Sequence, residues 1–334
     1  PRTSSAASDV YKRQKLAEAI EEAKAKSGTA IVLDNTSGEI LAMASYPSYN
    51  PNNPNRKPQK NGALLDKYEP GSVLKPIAMA KAIDMELINI DDPFDTSPGY
   101  ISLNNYSISD YKNHGVLKAY EIITYSSQVG ASKIALMLGA DNIISTYKKF
   151  GFSKPINVNF PSATFGQINN RENMSDIEIA NLGFGYGLDA SPFQIASAFS
   201  VFANEGIYKE FTLIMNDEYK YEEQVISKET ANKILFSLKD VVENGSGRKA
   251  KVSGFNIGGK TGTSHKSEKG GGYAKSIYTA SFAGIAPLES KDLTIFVSIY
   301  QPGLNAYTGG DIAAPLFSEI ASDTLNYLGY FESE

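Results

Sequence analysis

The chain has 334 residues, of which 42% are hydrophobic, so it can bury the core of one large domain or two small ones. Its net charge is -5 and it lacks a dense cluster of Lys and Arg, which argues against a nucleic-acid surface. The absence of cysteine excludes a disulfide framework and a Cys-ligated metal, and two histidines disfavour a His-based triad. We therefore expect no cofactor and no metal ion.

The first 50 residues predict an appendage, a helix and a hairpin. Residues 1–14 are rich in Ser, Ala and basic side chains without apolar periodicity, and we interpret them as a non-native or disordered appendage. Helix formers at helical spacing predict a helix over 15–26. The apolar runs 29–34 and 39–45 flank a turn at 35–38 and predict a β-hairpin.

A second helix is predicted over 71–87, after a Pro- and Asn-rich loop at 49–60. Pro70 and the glycine after it fix the start of this helix. Pro76 lies in the first turn, where its missing N–H removes at most about one backbone hydrogen bond from the helix. The polar stretch 91–113 that follows predicts a loop.

The middle of the chain is predicted to be mainly helical. Apolar residues recur at helical spacing in 117–124, 127–138, 142–150, 175–181, 192–204 and 228–243. The Gly-rich stretch 183–187 is too rich in glycine for a helix interior, so we expect a tight loop there.

The C-terminal part predicts strands and a closing helix. The predicted elements are strands over 257–263, 276–285 and 293–300, a loop over 264–275 and a helix over 311–328.

These elements predict an α/β (α+β) fold in which two N-terminal and three C-terminal strands form one five-stranded antiparallel sheet. The terminal helices flank the sheet, and a large all-helical insertion packs on one side. We assign 15–334 to one domain, with a sheet part at 15–50 and 251–334 and a helical part at 68–250. A cleft between the two parts is the expected site. No apolar run approaches the about 20 residues of a membrane helix.

Ser72 and Lys75 lie three residues apart at a predicted helix start, so their side chains share one face. An amine at Lys75 that reaches the Ser72 hydroxyl could act as a base if desolvation or a second cation lowered its pKa. A helix start also directs backbone N–H groups toward a developing oxyanion. Alone, this spacing is common on surface helices.

Lys260, Thr261, Gly262 and Thr263 follow two glycines on a predicted strand. On an edge strand beside Ser72, Gly262 would let a substrate backbone approach closely. Thr261 and Thr263 could bind a carboxylate, with Lys260 supplying positive charge, and the Thr263 N–H could be an oxyanion donor.

Ser126, Ser127 and Gln128 form the middle element. Ser126 could relay a proton between Lys75 and a leaving amine, and Gln128 could hydrogen-bond a peptide substrate. Alone, these residues would suit an ordinary helix cap. In this order the three elements match the signature of serine acyl-transfer sites that use lysine as the base.

The chain resembles the transpeptidase domain of class B penicillin-binding proteins over about 27–331. Similar segments are GTAIVLD from Gly28, GEILAMASYP from Gly38, EPGSVLKP from Glu69, FGYGLDASPFQ from Phe184 and APLF from Ala314. The segment SSQVGASK from Ser126, together with GFGYG, is most similar to the septal, cell-division branch. The resemblance implies a penicillin-binding protein/β-lactamase-like transpeptidase fold.

The resemblance also implies an activity and partners. The enzyme would cross-link peptidoglycan: Ser72 would attack the D-Ala-D-Ala amide of a stem peptide, and an acceptor amine would resolve the acyl-enzyme. β-Lactam antibiotics would acylate Ser72 as substrate mimics. The family's usual membrane anchor is absent from this chain; a full-length relative would place this domain on the periplasmic face of the inner membrane. There it would partner a polytopic lipid II polymerase and division proteins.

The resemblance assigns Ser72 as nucleophile, Lys75 as base, Ser126 as proton relay, and Lys260 with its two threonines as carboxylate site. Gln128 departs from the family, which usually has Asn at this position. The longer Gln side chain could keep a hydrogen bond to the substrate but would shift its position. Alternatives are a D,D-carboxypeptidase, a serine β-lactamase, and a non-catalytic β-lactam sensor or scaffold.

Overall fold

A computed structural model describes residues 5–48, 60–158, 160, 163–214, 221–267, 272–303 and 305–330. The strands, numbered in chain order, are β1 Ser27–Asp34, β2 Ile40–Tyr46, β3 Pro93–Asp95, β4 Tyr100–Leu103, β5 Tyr106–Ser109, β6 Val116–Lys118, β7 Ile207–Lys209, β8 Glu222–Gln224, β9 Gly258–Ser267, β10 Tyr273–Ala286 and β11 Leu293–Tyr300. The helices are α1 Ser5–Glu22, α2 Gly62–Leu65, α3 Lys75–Asp84, α4 Ala119–Thr124, α5 Gln128–Lys149, α6 Asp176–Leu182, α7 Pro192–Ala203, α8 Lys228–Glu243 and α9 Ala314–Leu328. Short 3-10 turns at Gly71–Leu74 and Arg248–Ala250 and a π-helical turn at Gly309–Ala313 are also formed.

One antiparallel sheet with strand order β2-β1-β11-β10-β9 confirms the predicted five-stranded arrangement. The N- and C-terminal parts of the chain meet where β1 pairs with β11, with Ala30 opposite Val297. Strand β9 lies at the edge of the sheet and contacts the turn Gly71–Leu74. The strand that carries Lys260 therefore lies beside the turn that carries Ser72.

The sheet separates two hydrophobic cores. On one face α1 and α9 pack, and Leu16, Ile20 and Phe317 are buried there. On the other face Ile31 and Phe296 are buried against the helical middle of the chain. Because successive side chains of a strand point to opposite faces, strands with apolar residues at nearly every position serve both cores.

The N-terminal helix begins earlier than the sequence predicts. It runs over Ser5–Glu22 and so includes residues that we interpreted as an appendage, and Lys12 is buried. Leu16 and Ile20, four residues apart, hold this helix on the sheet. The preceding residues, mostly Ala, Lys, Arg and Gln, have the propensity to extend it toward the N-terminus. The division of the chain into 1–14, a sheet part and a helical part stays a prediction.

The insertion is not all-helical, which corrects one detail of the predicted fold. Strands β3 and β6, β4 and β5, and β7 and β8 form three two-stranded ladders. In the stretch predicted to be a loop, Ile101 pairs with Ile108. Phe94, in the same stretch, pairs with Leu117, which was predicted to begin a helix and lies in β6 instead. Such short ladders are only marginally stable alone and depend on tertiary burial, which local sequence does not reveal.

Other helical predictions hold with small shifts. The two helices predicted over 127–138 and 142–150 are one element, α5, interrupted at Gly139, where φ is 73° and ψ is 166°. The predicted loop over 49–60 lies mostly outside the described residues. The loop predicted over 264–275 is wrong where the structure describes it, because β9 continues to Ser267 and β10 begins at Tyr273. Residues 268–271 lie outside the described residues. None of the described helices combines the length and apolar character that a membrane crossing requires.

Candidate active site

Ser72 lies in the 3-10 turn that precedes α3. Gly71 has a φ of 65°, a left-handed conformation that favours glycine, and its N–H donates to the Gly185 carbonyl at 3.0 Å. Val73 and Leu74 are fully buried, which fixes the turn against the core. The Ser72 side chain is half-buried and its hydroxyl makes no hydrogen bond to another described residue.

Lys75 is the first residue of α3 and its side chain is 1% exposed. Its Nζ donates to Ser126 Oγ at 3.1 Å and to the Ser126 carbonyl oxygen, rather than to Ser72. Burial lowers the pKa of the Lys75 ammonium to about 7, although the Asp110 carboxylate opposes this shift. A substantial fraction of Lys75 is therefore neutral near pH 7, as a general base must be.

Lys260 approaches the same hydroxyl from β9. Its side chain is fully buried, and its Nζ donates to Ser126 Oγ at 3.0 Å and to the Thr261 carbonyl at 3.1 Å. Burial, reinforced by the charge of Lys75, holds the pKa of Lys260 well below its usual value. The structure thus brings two amines from different elements to one serine oxygen. When both amines donate, they occupy both lone pairs and leave the hydroxyl proton free to point elsewhere.

Ser126 lies in the tight turn between α4 and α5. Its φ is 60°, a left-handed conformation that is uncommon for a residue other than glycine and costs of order 1–3 kcal/mol. The N–H groups of Ser126 and Ser127 close the turn by donating to the carbonyls of Ile123 and Ile122. The strained turn directs the Ser126 hydroxyl toward the two amines.

Asp110, which the sequence analysis missed, holds the turn in place. Its Oδ2 accepts from Ser127 Oγ at 2.6 Å, and its Oδ1 accepts from the N–H groups of Gln128 and Val129, the latter at 3.2 Å. Ser127 Oγ in turn accepts from the Gly130 N–H at 2.9 Å and caps α5. No spacing rule links residue 110 to a helix that begins eighteen residues later. A hairpin predicted over 100–109 would have brought the chain back toward α5, and only such a prediction could have indicated that Asp110 lies at the start of this helix.

The threonines of β9 have oriented hydroxyls. Thr261 Oγ1 lies 2.7 Å from Ser246 Oγ, and Thr263 Oγ1 accepts from the Gly309 N–H at 3.0 Å. Ser246, in the loop after α8, is a second residue that the sequence analysis missed. A small polar residue in a Gly-rich loop indicates a turn, and nothing else in the local sequence predicts a contact with Thr261.

Gly262 is required by the protein's own packing. A Cβ atom at this position would lie 2.4 Å from Ser281 Oγ and 3.2 Å from the Pro70 carbonyl oxygen. The Ser72 turn therefore approaches β9 closely at this point, and the expected close approach of a substrate backbone to Gly262 stays a prediction. Glycine at 262 therefore sets the distance between two parts of the site.

Gln128 is the first residue of α5, beside the Ser126 turn. Its side chain is half-buried and makes no hydrogen bond within the described part of the chain. Its backbone N–H, held by Asp110, fixes where the side chain starts. The structure thus gathers Lys75, Ser126 and Lys260 by direct hydrogen bonds. It places Ser72, Gln128 and the two threonines on the elements around them.

Residues 28–322 match the family described as the penicillin binding protein transpeptidase domain. The peptidoglycan D,D-transpeptidase FtsI of Buchnera aphidicola is 36% identical over 311 residues, covering 92% of this chain and 54% of that protein. The probable peptidoglycan D,D-transpeptidase PbpC of Pseudomonas aeruginosa is 35% identical, covering 94% and 56% respectively.

Solved structures show the same similarity. The transpeptidase domain of penicillin-binding protein 3 from Burkholderia pseudomallei superposes with a TM-score of 0.90 at 31% identity, covering 98% of this chain and 96% of that one. The chain spans about half the length of the curated relatives it matches. Since one family accounts for nearly all of the sequence and the fold, the chain belongs to the penicillin-binding protein transpeptidase domain family.

Proposed function

We propose that this chain is a peptidoglycan D,D-transpeptidase that acts at cell division. The observation that carries the proposal is the Ser126 hydroxyl, which receives hydrogen bonds from both Lys75 and Lys260 next to the Ser72 turn. A serine acyltransferase that uses lysine requires such a buried amine of lowered pKa. Family membership and the names of the relatives support the same reaction.

In the proposed first half-reaction, Ser72 attacks the carbonyl carbon of the D-Ala-D-Ala amide. Neutral Lys75 accepts the Ser72 proton. As the C–N bond breaks, Ser126 donates its hydroxyl proton to the nitrogen of the departing D-alanine and takes the proton held by Lys75, which becomes neutral again. In the second half-reaction an amine of a neighbouring stem attacks the acyl-enzyme ester. Its proton returns through the same groups, Ser72 regains its hydrogen, and a new amide bond links the two stems.

The developing oxyanion and the substrate carboxylate have separate proposed sites. The backbone N–H groups of Ser72 and Thr263 would donate to the oxyanion. Thr261 and Thr263, with positive charge from Lys260, would bind the terminal carboxylate of the stem. Gln128 would hydrogen-bond the peptide through an arm one methylene longer than the usual Asn.

The setting of the enzyme is also a proposal. The named relatives include FtsI of Buchnera and of Escherichia coli, which supports the septal branch. Their greater length is consistent with a membrane-anchored parent whose transpeptidase domain faces the periplasm. Peptidoglycan stem peptides would be its substrates and β-lactam antibiotics its inhibitors. A polytopic lipid II polymerase and division proteins would be its partners.

The test is the intact mass of the protein after treatment with benzylpenicillin, with the adduct mapped to a residue. We expect one stable adduct on Ser72, its loss in Ser72→Ala, and its retention in Ser145→Ala, an exposed serine on α5. A purified acceptor and donor stem pair should then be cross-linked.

Rapid turnover of the penicillin would instead indicate a β-lactamase. Release of D-alanine without cross-links would indicate a carboxypeptidase, and labelling without reaction on stems a sensor. Absence of labelling would overturn the proposal.

A further inference from the structure

The turn that carries Ser72, with the residues just before it, is attached along one side to the segment 185–190, which begins within the Gly-rich stretch 183–187. The N–H and carbonyl groups of Tyr68 pair with Ala190 at 3.2 and 3.0 Å, as in an antiparallel ladder. Three residues later the Gly71 N–H donates to the Gly185 carbonyl at 3.0 Å. The two backbones are too close for side chains, because a Cβ atom on Gly185 would lie 2.2 Å from the Gly71 carbonyl oxygen.

Between these two attachments the pairing is completed by a side chain. Glu69 Oε1 accepts from the Gly187 N–H at 2.9 Å, and Glu69 lies three residues before Ser72. Gly187 has a φ of 79°, so the 185–190 segment turns away from a regular ladder at this point. At this point the Gly187 N–H donates to the carboxyl oxygen of Glu69 and not to a backbone carbonyl, as it would in a regular ladder.

The surroundings of Glu69 indicate a structural contact rather than a solvated charge. Its Oε2 is buried and has no hydrogen bond of good geometry to a described residue. Burial raises the pKa of Glu69, while the Gly187 N–H and the Tyr273 hydroxyl oppose the shift. Lys and Arg partners of Glu69 are absent from the described residues. Glu69 as a whole is half-buried, but its Oε2 is out of contact with solvent, and desolvating that oxygen has a free-energy cost.

We propose that Glu69 is a positioning residue for acylation: through Gly187 it holds the 185–190 segment on the Ser72 turn and so fixes the direction of the Ser72 N–H and hydroxyl. This role rests on the proposed acyltransferase function of Ser72. A shift of about 1 Å at a reacting group can cost about a hundredfold in rate. The turn is short enough that loss of one attachment three residues away moves both catalytic groups of Ser72 together.

Three substitutions separate the hydrogen bond from the charge. Glu69→Gln keeps an oxygen acceptor at the same reach and removes the negative charge. Glu69→Asp keeps the charge and shortens the arm by one methylene, so the Gly187 N–H is out of reach. Glu69→Ala removes both. Asp34→Asn is the matched control, because Asp34 also accepts backbone N–H groups at 2.9 Å but lies at the end of β1, before the turn to β2.

The measurement is stopped-flow acylation by a fluorescent penicillin, resolved into the rate constant of acylation and the apparent dissociation constant. We expect the acylation rate constant to fall about 10-fold in Glu69→Asp and about 30- to 100-fold in Glu69→Ala. It should stay within about threefold of the parent in Glu69→Gln and Asp34→Asn, and the dissociation constant should change little in every variant. Hydrogen exchange over 185–190 should rise in the Asp and Ala variants alone.

The outcomes distinguish this proposal from the function on which it rests. If the parent protein is acylated on Ser72 and Glu69→Asp reacts as fast as the parent, the positioning role is overturned. It is also overturned if Glu69→Gln is as slow as Glu69→Ala, because the charge would then be what matters. If Glu69→Ala does not fold, the Asp and Gln variants decide alone. Failure of the parent to react at Ser72 would instead overturn the proposed function.

Discussion

The two serine-bearing turns of the site are built in different ways. The Ser72 turn is fixed by backbone pairing with 185–190, by glycine at close contacts, by the buried side chains that follow it and by the Glu69 oxygen, whose charge is not expected to matter. The Ser126 turn places a non-glycine residue in a left-handed conformation and is held by the Asp110 carboxylate and two amines. One turn thus depends mainly on shape, and the other on charged groups.

This difference predicts different sensitivities. Backbone pairing and hydrophobic burial vary little with pH, so the Ser72 turn should keep its geometry across the neutral range. Lys75 changes its protonation state near pH 7, so the hydrogen bonds around Ser126 change in the same range. Substitutions in the Ser126 turn should therefore alter pH dependence, whereas those in the Ser72 turn should alter rate at every pH.

The largest effect is expected from removing the Ser126 hydroxyl. Ser126→Ala and Ser126→Gly should both lower the acylation rate about 10²- to 10³-fold, because the group between the two amines is lost. Their stabilities should differ, since glycine adopts the left-handed conformation without steric cost. We expect Ser126→Gly to be more stable than Ser126→Ala by about 1 kcal/mol in urea denaturation. Equal stability of the two variants would show that the turn is not strained.

A smaller effect is expected when the carboxylate that holds the turn is removed. Asp110→Ala should lower stability by about 1–3 kcal/mol and acylation about tenfold, because the cap of α5 and the Ser126 turn both loosen. Asp110→Asn retains one acceptor and should recover part of both losses. The control is Asp95→Ala. Asp95 is an exposed carboxylate in the helical part of the chain, and it also accepts a backbone N–H. Equal behaviour of the Asp110 and Asp95 variants would contradict the assignment.

The pH dependence tests the electrostatic side of the comparison. The rate of acylation should rise about tenfold per pH unit below the Lys75 pKa of about 7 and level off above it, because only the neutral amine accepts a proton. The Asp110 charge raises the pKa of Lys75, so Asp110→Asn should move the midpoint to lower pH. Glu69→Asp, which loosens the Ser72 turn and lowers the rate, should leave the midpoint in place. A midpoint that is the same in all three proteins would refute the coupling between Asp110 and Lys75.

Local patterns in the sequence predict much of this fold. Helix α8 and strand β11 have the predicted bounds, because α8 has a strong apolar period and β11 is a run rich in β-branched and aromatic residues. The three short ladders were missed, because their stability comes from burial against distant residues. The same limit applies to the site. Ser72 and Lys75 are linked by helical spacing, whereas the contacts of Asp110 with the start of α5 follow only from tertiary folding.

The smallest expected effect concerns Ser246, whose hydroxyl lies against that of Thr261. If this contact orients Thr261 for the substrate carboxylate, Ser246→Ala should weaken the apparent binding of penicillin about two- to fivefold, the worth of one hydrogen bond between neutral groups. The acylation rate constant should be unchanged, because neither hydroxyl touches the reacting bond.

Thr261→Val should weaken binding further. In that background Ser246→Ala should have no additional effect, since its only route to the substrate is gone. Additive losses in the double variant would show that Ser246 reaches the substrate by itself.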